Sequence, residues 1–397
     1  MSDYDVIALG TGSKCLGENN LSVNGSLIHD SHAEVVSKRA LMIYFLHQLE
    51  QAYETKIKNM EYKDLKFEYC ENNKCFSIKE NVKFHFYSSY PPCGDATIAP
   101  KKKDSDCVDV NELSPLYLKA KRLRYEEDLE ITDIHRTGAK CLDICERKDA
   151  LLDAENLTDY HVLGAIRRKP GRGDPTASLS CSDKLAKWNF VGIQGSFLSS
   201  LLPNGPILWS TMIFSGTNVD IESVKRSMFK RFTKHENYLK NVPIIHSSVS
   251  FPYNKNDISL TERQLFPCSS NIAFSQSDNK VLCHDIMVEG RKQGIIKKHF
   301  GTPKERVTIC RYNIGKRFKN LALSIHQNCI DKTICEMCSL LLSNIQYIDF
   351  KIALQNLSGW YEKRLNAFYN ILPGLKEERL VRRKRIDKFH IDSLPAV

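Results

Sequence analysis

The chain has 397 residues, 42% hydrophobic and 26% charged, with a formal net charge of +10 and a pI near 8.8. That length buries a sizeable core, and the balance of residue types excludes a disordered, collagenous or disulfide-scaffold chain. The sequence shows neither a secretory pattern nor an apolar run long enough to span a bilayer, and its 14 cysteines follow no regular spacing. We read them as reduced thiols of a cytoplasmic or nuclear protein with no membrane partner. The basic balance favours a polyanionic partner such as nucleic acid, with a merely solvated basic surface as the alternative.

In chain order, Val6 to Leu9 reads as the end of a buried strand halted by Gly10-Thr11-Gly12-Ser13-Lys14-Cys15. A short strand over Ser26–His29 follows, and then Asp30 or Ser31 caps a helix. Its apolar positions are Val35, Val36, Ala40, Leu41, Tyr44, Phe45 and Leu49, which puts His32 and Glu34 in the first turn. Residues 51–80 turn polar and read as a surface insertion. Val82 to Ser88 alternates like a strand and leads into Tyr90-Pro91-Pro92-Cys93, with a second helix opening over Gly94–Ile98. Residues 101–129 read as a solvated insertion.

Arg167 to Thr176 is a basic loop, followed by the helix-capping pattern Ser180-Cys181-Ser182-Asp183-Lys184. An apolar run (Ile207 to Phe214), a basic amphipathic helix near Glu222–Phe232 and a strand over Lys280–Val288 come next. Between Asn241 and Gln276 the pattern is weak. The last quarter reads as mainly helical, clearest over Tyr347–Phe368, and Arg382-Arg383-Lys384-Arg385 sits near the end. No repeat or composition break divides the chain, so residues 1–397 read as one α/β domain with insertions.

Chemistry concentrates at His32-Ala33-Glu34. A zinc-dependent nucleobase deaminase needs one His ligand, a non-ligating Glu that carries protons, and a downstream Pro-Cys. Pro92-Cys93 supplies the last. The common pattern places a second Cys three residues later, where this chain has Ala96. A catalytic zinc takes three protein ligands, so the third must come from elsewhere. Cys181, also at a predicted helix N-terminus that would favour its thiolate, is the natural choice. Taken singly, His-Ala-Glu or a Cys after Pro is a common pattern of folded chains without function. Cys335-x-x-Cys338 reads as two core thiols rather than half of a zinc site.

Gly10-Thr11-Gly12-Ser13-Lys14-Cys15, Asp30-Ser31-His32-Ala33-Glu34, Pro92-Cys93-Gly94-Asp95-Ala96 and Ser180-Cys181-Ser182-Asp183-Lys184, extended by Trp188-Asn189 and Gly192-Ile193-Gln194-Gly195, resemble the ordered motifs of adenosine deaminases acting on RNA. Lys169-Pro170-Gly171-Arg172-Gly173-Asp174 and Arg136-Thr137-Gly138-Ala139-Lys140-Cys141 are most similar to the family's tRNA-specific branch. The resemblance implies a cytidine-deaminase-like fold: a mixed central β-sheet flanked by helices, with a largely helical C-terminal part. It implies conversion of adenosine to inosine in tRNA, at position 37 beside the anticodon of alanine tRNA, without DNA as a partner. An editor of double-stranded RNA and an inactive RNA-binding relative are the alternatives. With the motifs beginning at once, no RNA-binding module is expected upstream.

By the same resemblance, His32, Cys93 and Cys181 hold zinc and Glu34 moves protons. One buried inositol hexakisphosphate is implied as a structural cofactor, with Lys14, Asp30, Lys38, Arg39, Lys184, Lys187, Ser196, Arg291, Tyr347, Lys351 and Arg364 around it. Several of these cations interrupt apolar-periodic segments, where a buried polyanion would offset the cost of buried charge. Side chains reaching out to solvent are the alternative. Arg167, Arg168, Lys169 and Arg172 are expected to contact RNA. The Trp-x-Glu-Lys string Trp360-Tyr361-Glu362-Lys363 stands closer to Tyr347 than the family's spacing puts it.

Overall fold

The computed structural model describes residues 4–22, 24–98, 108–109, 140–141, 162–169, 174, 176, 178–216, 219–232, 242–249 and 270–325. Its central element is helix α1 (Ala33–Lys58). The run Ala40-Leu41-Met42-Ile43-Tyr44-Phe45-Leu46 is buried without interruption, and Val35, Val36, Leu49, Ala52 and Tyr53 extend the burial along the helix. A helix apolar on most of its circumference must be covered on several sides. Strand β1 (Ala8–Gly10), the hairpin of β2 (Phe67–Cys70) and β3 (Cys75–Ile78), and a later strand and helix described below supply that cover. The helix ends where Asn59 adopts a left-handed conformation at φ 52°.

Strand β4 (His85–Ser88) follows. The short strands β5 (Val108–Asp109), β6 (Lys140–Cys141), β7 (Val162–Leu163) and β8 (Arg167–Arg168) form two-stranded pairs, β5 with β7 and β6 with β8. Helices α2 (Cys181–Val191) and α3 (Gly195–Ser199) lead to β9 (Thr211–Ser215), α4 (Ile221–Met228) and β10 (Ile244–Ser247). Then come β11 (Ser270–Ser277), β12 (Lys280–Val288), β13 (Arg291–Lys292) and α5 (Arg311–Ile325). β11 and α5 complete the cover of α1.

Two sheets dominate the described residues. One is antiparallel, in the order β1-β11-β12-β13, and the other parallel, in the order β10-β9-β4. With the helices packed around them, they make the mixed α/β arrangement expected from the family resemblance. In the parallel sheet Phe86, Met212 and Phe214 are buried, and the end of β4 delivers the chain to Pro92-Cys93. Ligand sites of parallel sheets lie beyond these carboxyl ends.

Several expectations shift. Residues 51–80 are not a loose surface connection: α1 runs on to Lys58, and the β2–β3 hairpin buries Phe67 and Phe76 completely. Their apolar side chains are few but face one way, against Phe45 and Tyr53 through ring contacts. Ser26–His29 forms no strand; the local pairing is a single bridge, Cys15 to Asp30. Gly94–Ile98 makes only a short 3-10 turn over Asp95–Thr97. The weakly patterned 241–276 stretch contains β10 and β11, whereas β12 has the expected bounds. Residues 347–368, 382–385 and nearly all of 101–129 lie outside the described residues. No helix among the described residues is long and apolar enough to cross a membrane.

Candidate active site

The two glycines near the start let the first strand lie directly on α1. A Cβ at Gly10 would sit 2.3 Å from the backbone N of Ser37, and one at Gly12, where φ is +134°, 2.0 Å from the carbonyl of Ser31. The Gly12 carbonyl accepts from the N–H of Ala33, and the Lys14 carbonyl from that of Ser31, so the Gly-rich turn grips the start of α1. His32 is the N-cap residue, one position outside the expected first turn, and makes no side-chain capping bond. Asp30 Oδ1 instead accepts from the His32 N–H at 3.0 Å.

Ser180 caps α2 by accepting from the N–H of Asp183, which makes Cys181 the first helical residue. Ser182 Oγ lies within bonding distance of the carbonyls of Pro92 (3.1 Å) and Cys93 (2.9 Å) and accepts from the N–H of Ala96. The N–H of Ser182 also donates to the Cys93 carbonyl. Gly94, at φ +108°, makes the approach feasible, since a Cβ there would lie 2.2 Å from Ser180 Oγ.

These contacts bring three donors to one point. His32 Nδ1 is 3.8 Å from Cys93 Sγ and 3.6 Å from Cys181 Sγ, and all three ligand atoms lie within 4.8 Å of one another. Two donors sharing a tetrahedral zinc, at about 2.3 Å for sulfur and about 2.1 Å for nitrogen, stand roughly 3.6 Å apart. One imidazole and two thiols at these separations therefore fit zinc. Glu34 is half-buried beside them, its Oε2 accepting from Cys181 Sγ at 3.1 Å. The Cys181 N–H donates to Cys93 Sγ at 3.3 Å. Cys93 has its pKa held well below the ordinary thiol value, first by bonding from Cys181 and then from His32 against the cost of burial. Burial raises that of Cys181.

Cys15, Asp30 and His32 form a second group of potential metal donors. Asp30 is already engaged, since its Oδ2 accepts from Lys169 Nζ at 2.7 Å and from Lys184 Nζ. Burial opposes the charge of Asp30, but Lys184 and Lys169 outweigh it and hold the carboxyl well below its usual range. Burial and then Asp30 push the Cys15 thiol up to about 12, leaving it protonated. For Lys169, burial is outweighed by Cys181, Asp30, Cys93 and Cys15, which raise it well above the ordinary lysine value.

The expected RNA contacts Arg167 and Lys169 are thus interior cations. Arg167 is fully buried and paired with Asp95 at 3.4 Å, and Lys169 is buried against Asp30. Neither reaches solvent to meet a phosphate, because each is the counter-charge of a buried carboxylate. Arg168 is half-buried, and Arg172 lies outside the described residues.

Among the expected polyanion ligands, Lys38, Arg39 and Lys187 come together near Arg311, which the sequence did not single out. Burial, then repulsion from Arg39 and Lys187, lowers Lys38 to about 7. Burial, then Arg311, lowers Arg39 to about 10. Gly195 leaves room for Lys38, whose Nζ lies 2.8 Å from where a Cβ would stand. Lys14 and Lys187 are half-buried, and Ser196 lies in α3. Arg291 is elsewhere engaged: it pairs with Glu305 at 3.2 Å and stacks on Phe300, so its charge is already satisfied. Tyr347, Lys351 and Arg364 lie outside the described residues. Nothing in the local sequence marks Arg311, which α5 carries in from far along the chain.

The profile of the adenosine-deaminase (editase) domain matches residues 8–366. The chain belongs to the adenosine-deaminase (editase) domain family. It is a deaminase, and the His32–Cys93–Cys181 convergence with Glu34 is its candidate centre. The chain is 32% identical over 323 residues to a tRNA-specific adenosine deaminase 1 of Drosophila melanogaster, covering 80% of this chain and 71% of that relative. The mouse (Mus musculus) protein of the same name is 27% identical over 398 residues, covering 81% and 77%. A double-stranded RNA-specific editase, Adar of Drosophila melanogaster, is 29% identical over 231 residues, covering 58% of this chain but 29% of that relative.

Proposed function

We propose that this deaminase is zinc-dependent and converts adenosine to inosine in tRNA, at position 37 beside the anticodon of alanine tRNA. The observation that carries the chemistry is Glu34 Oε2 placed 3.1 Å from Cys181 Sγ, at the edge of the His32–Cys93–Cys181 donor set without belonging to it. The tRNA substrate is supported by the names of the relatives that match across four-fifths of the chain.

His32, Cys93 and Cys181 would hold zinc, which supplies the Lewis acidity that activates water near neutral pH. Glu34, a carboxylate beside the donor set, takes the proton of the water whose oxygen adds to C6 of adenine. It delivers that proton to N1 and then carries the proton of the added hydroxyl to the departing amine as the C6–N6 bond breaks and the C6 carbonyl forms, giving inosine and ammonia. A base stacked in a duplex cannot reach such a centre, and an anticodon loop lowers the cost of extruding it.

Inositol hexakisphosphate is the structural cofactor in this reading. Arg39 and Lys187 repel the buried charge of Lys38, and Arg311 that of Arg39, and a buried polyanion would offset that repulsion. Lys14 and Lys184 stand with this cluster in the reading.

Glu34→Gln is expected to keep one zinc per chain while abolishing inosine formation; turnover retained in that variant overturns the assignment. Incubating the purified chain with alanine tRNA and with a long RNA duplex, then mapping inosine, tests the substrate. Inosine confined to the duplex would favour the editing relatives' activity instead.

A further inference from the structure

We infer that Arg226 and Arg231, on and just beyond α4, are positioning residues that hold the two cysteine-bearing segments at the spacing a shared metal needs; this rests on the zinc reading above. Asp95 follows Cys93 across Gly94, and Asp183 follows Cys181 across Ser182. Both carboxylates are buried, and each takes one arginine of the same helical element.

Arg226 Nε pairs with Asp95 Oδ2 at 3.1 Å, while its NH2 donates to the carbonyls of Asp95 at 2.8 Å and Ile98 at 2.7 Å. One guanidinium thereby fixes both the side chain and the main chain of the turn that begins at Cys93. The other side of that turn is closed by Ser180, against which Gly94 has no room for a Cβ. Arg231 NH1 pairs with Asp183 Oδ1 at 2.6 Å, with both side chains almost completely buried. Asp183 Oδ2 accepts from Ser180 Oγ at 2.5 Å and from the N–H of Arg167 at 3.1 Å. Arg167 NH1 in turn donates to Asp95 Oδ1 at 3.4 Å, which joins the two halves.

The planar fork of Arg226 meets several acceptors in fixed directions, which a lysine ammonium does not reproduce, whereas Arg231 acts as the buried counter-charge of Asp183. Groups that orient metal ligands from behind commonly change metal affinity by about 10–100-fold when removed. Helix α4 and the turn just beyond it accordingly tie Cys93 and Cys181 together, although this stretch reads in sequence only as a basic amphipathic helix.

The test is the rate at which the zinc-loaded full chain releases zinc to a chromophoric chelator. Wild type is compared with Arg226→Met, Arg226→Lys, Arg231→Met and Arg317→Met, with folded fraction followed by circular dichroism. Arg317 pairs with Glu50, outside the network that holds Cys93 and Cys181, and controls for loss of any partly buried ion pair. The expected result is release about 10-fold or more faster in Arg226→Met and Arg231→Met, an intermediate rate in Arg226→Lys, and the wild-type rate in Arg317→Met. Folded variants releasing zinc at the wild-type rate overturn the inference, as does equal acceleration by Arg317→Met. Should Arg226→Met fail to fold, Arg226→Lys against Arg317→Lys decides by the same criterion. A wild-type chain that takes up no zinc sinks the metal reading itself, whereas a zinc-loaded wild type with unaltered variants sinks the positioning role alone.

Discussion

Lys169 Nζ donates to Asp30 Oδ2 at 2.7 Å, and both side chains are shut off from solvent. Lys169 also lies in the field of the Cys93 and Cys181 thiols, so it couples the carboxylate ahead of α1 to the candidate zinc ligands. Removing one partner of a buried pair leaves an uncompensated charge, at a cost of about 3–5 kcal/mol. Because Lys184 still partners Asp30, Lys169→Met should lower unfolding stability by no more than that amount in urea titrations at neutral pH. Asp30 has a folded pKa below its unfolded value, so its contribution is complete above the unfolded pKa near 3.8 and is lost as pH falls below that. The variant should therefore show a shallower loss of stability below that pH than wild type. An equally steep acid limb would show that Lys184 alone holds Asp30.

Lys38 offers a test by reversal of sign. Its folded pKa, about 7, lies below the ordinary 10.5, so the unfolded chain binds more protons between those values. In chain refolded without polyanion, stability should therefore rise with pH across that window. Lys38→Met should raise the melting temperature of the polyanion-free chain by removing repulsion from Arg39 and Lys187. With inositol hexakisphosphate present, the same change should lower the melting temperature relative to wild type. A variant that loses stability equally in both conditions would count against a buried polyanion at this cluster.

Gly10 marks where β1 touches α1. An alanine Cβ there would fall 2.3 Å from Ser37 N and 2.5 Å from the Ala33 carbonyl, and neither backbone atom can move without shifting the helix that carries Glu34. Overpacking of this kind costs about 1–3 kcal/mol. Gly10→Ala should shift the urea midpoint accordingly and lower turnover more than the change in folded fraction accounts for. A fully active, equally stable variant would show that β1 moves freely against α1.

The β2–β3 hairpin should behave as core. Phe67 is fully buried and meets Phe45 edge-on, with centroids 5.6 Å apart. Truncating a buried phenylalanine costs about 3–5 kcal/mol, so Phe67→Ala should destabilise the chain on that scale in denaturant unfolding. A change within about 0.5 kcal/mol, the range of surface substitutions, would return 51–80 to the role of a surface insertion.

What could be read from the chain depended on the range of the interaction. Helix α1 and the capped start of α2 follow from local periodicity and from Ser180, so both were legible. Strand β12 spans nine residues and was found with its bounds, whereas β11 was lost in a weakly patterned stretch until β1 and β12 flanked it. Arg167 and Lys169 read as RNA contacts of a basic loop because the carboxylates that bury them, Asp95 and Asp30, lie far away along the chain.

The opening motifs show the same division. His32, Glu34, Cys93 and Cys181 stand out as candidates by residue type and chain order, because a zinc deaminase site admits a narrow choice of donors and Ala96 stands where the common pattern has its second Cys. That the donors meet within 4.8 Å was decided by the fold, through Gly94 packed against Ser180 and Ser182 bonded across to the Cys93 loop. The destination of the cations was likewise tertiary. Lys169 faces the thiols, Arg291 is spent on Glu305, and Arg311 arrives beside Arg39 on α5. A charged side chain carries no local signature of its partner, and only the path of the chain determines which opposite or like charge it is buried beside.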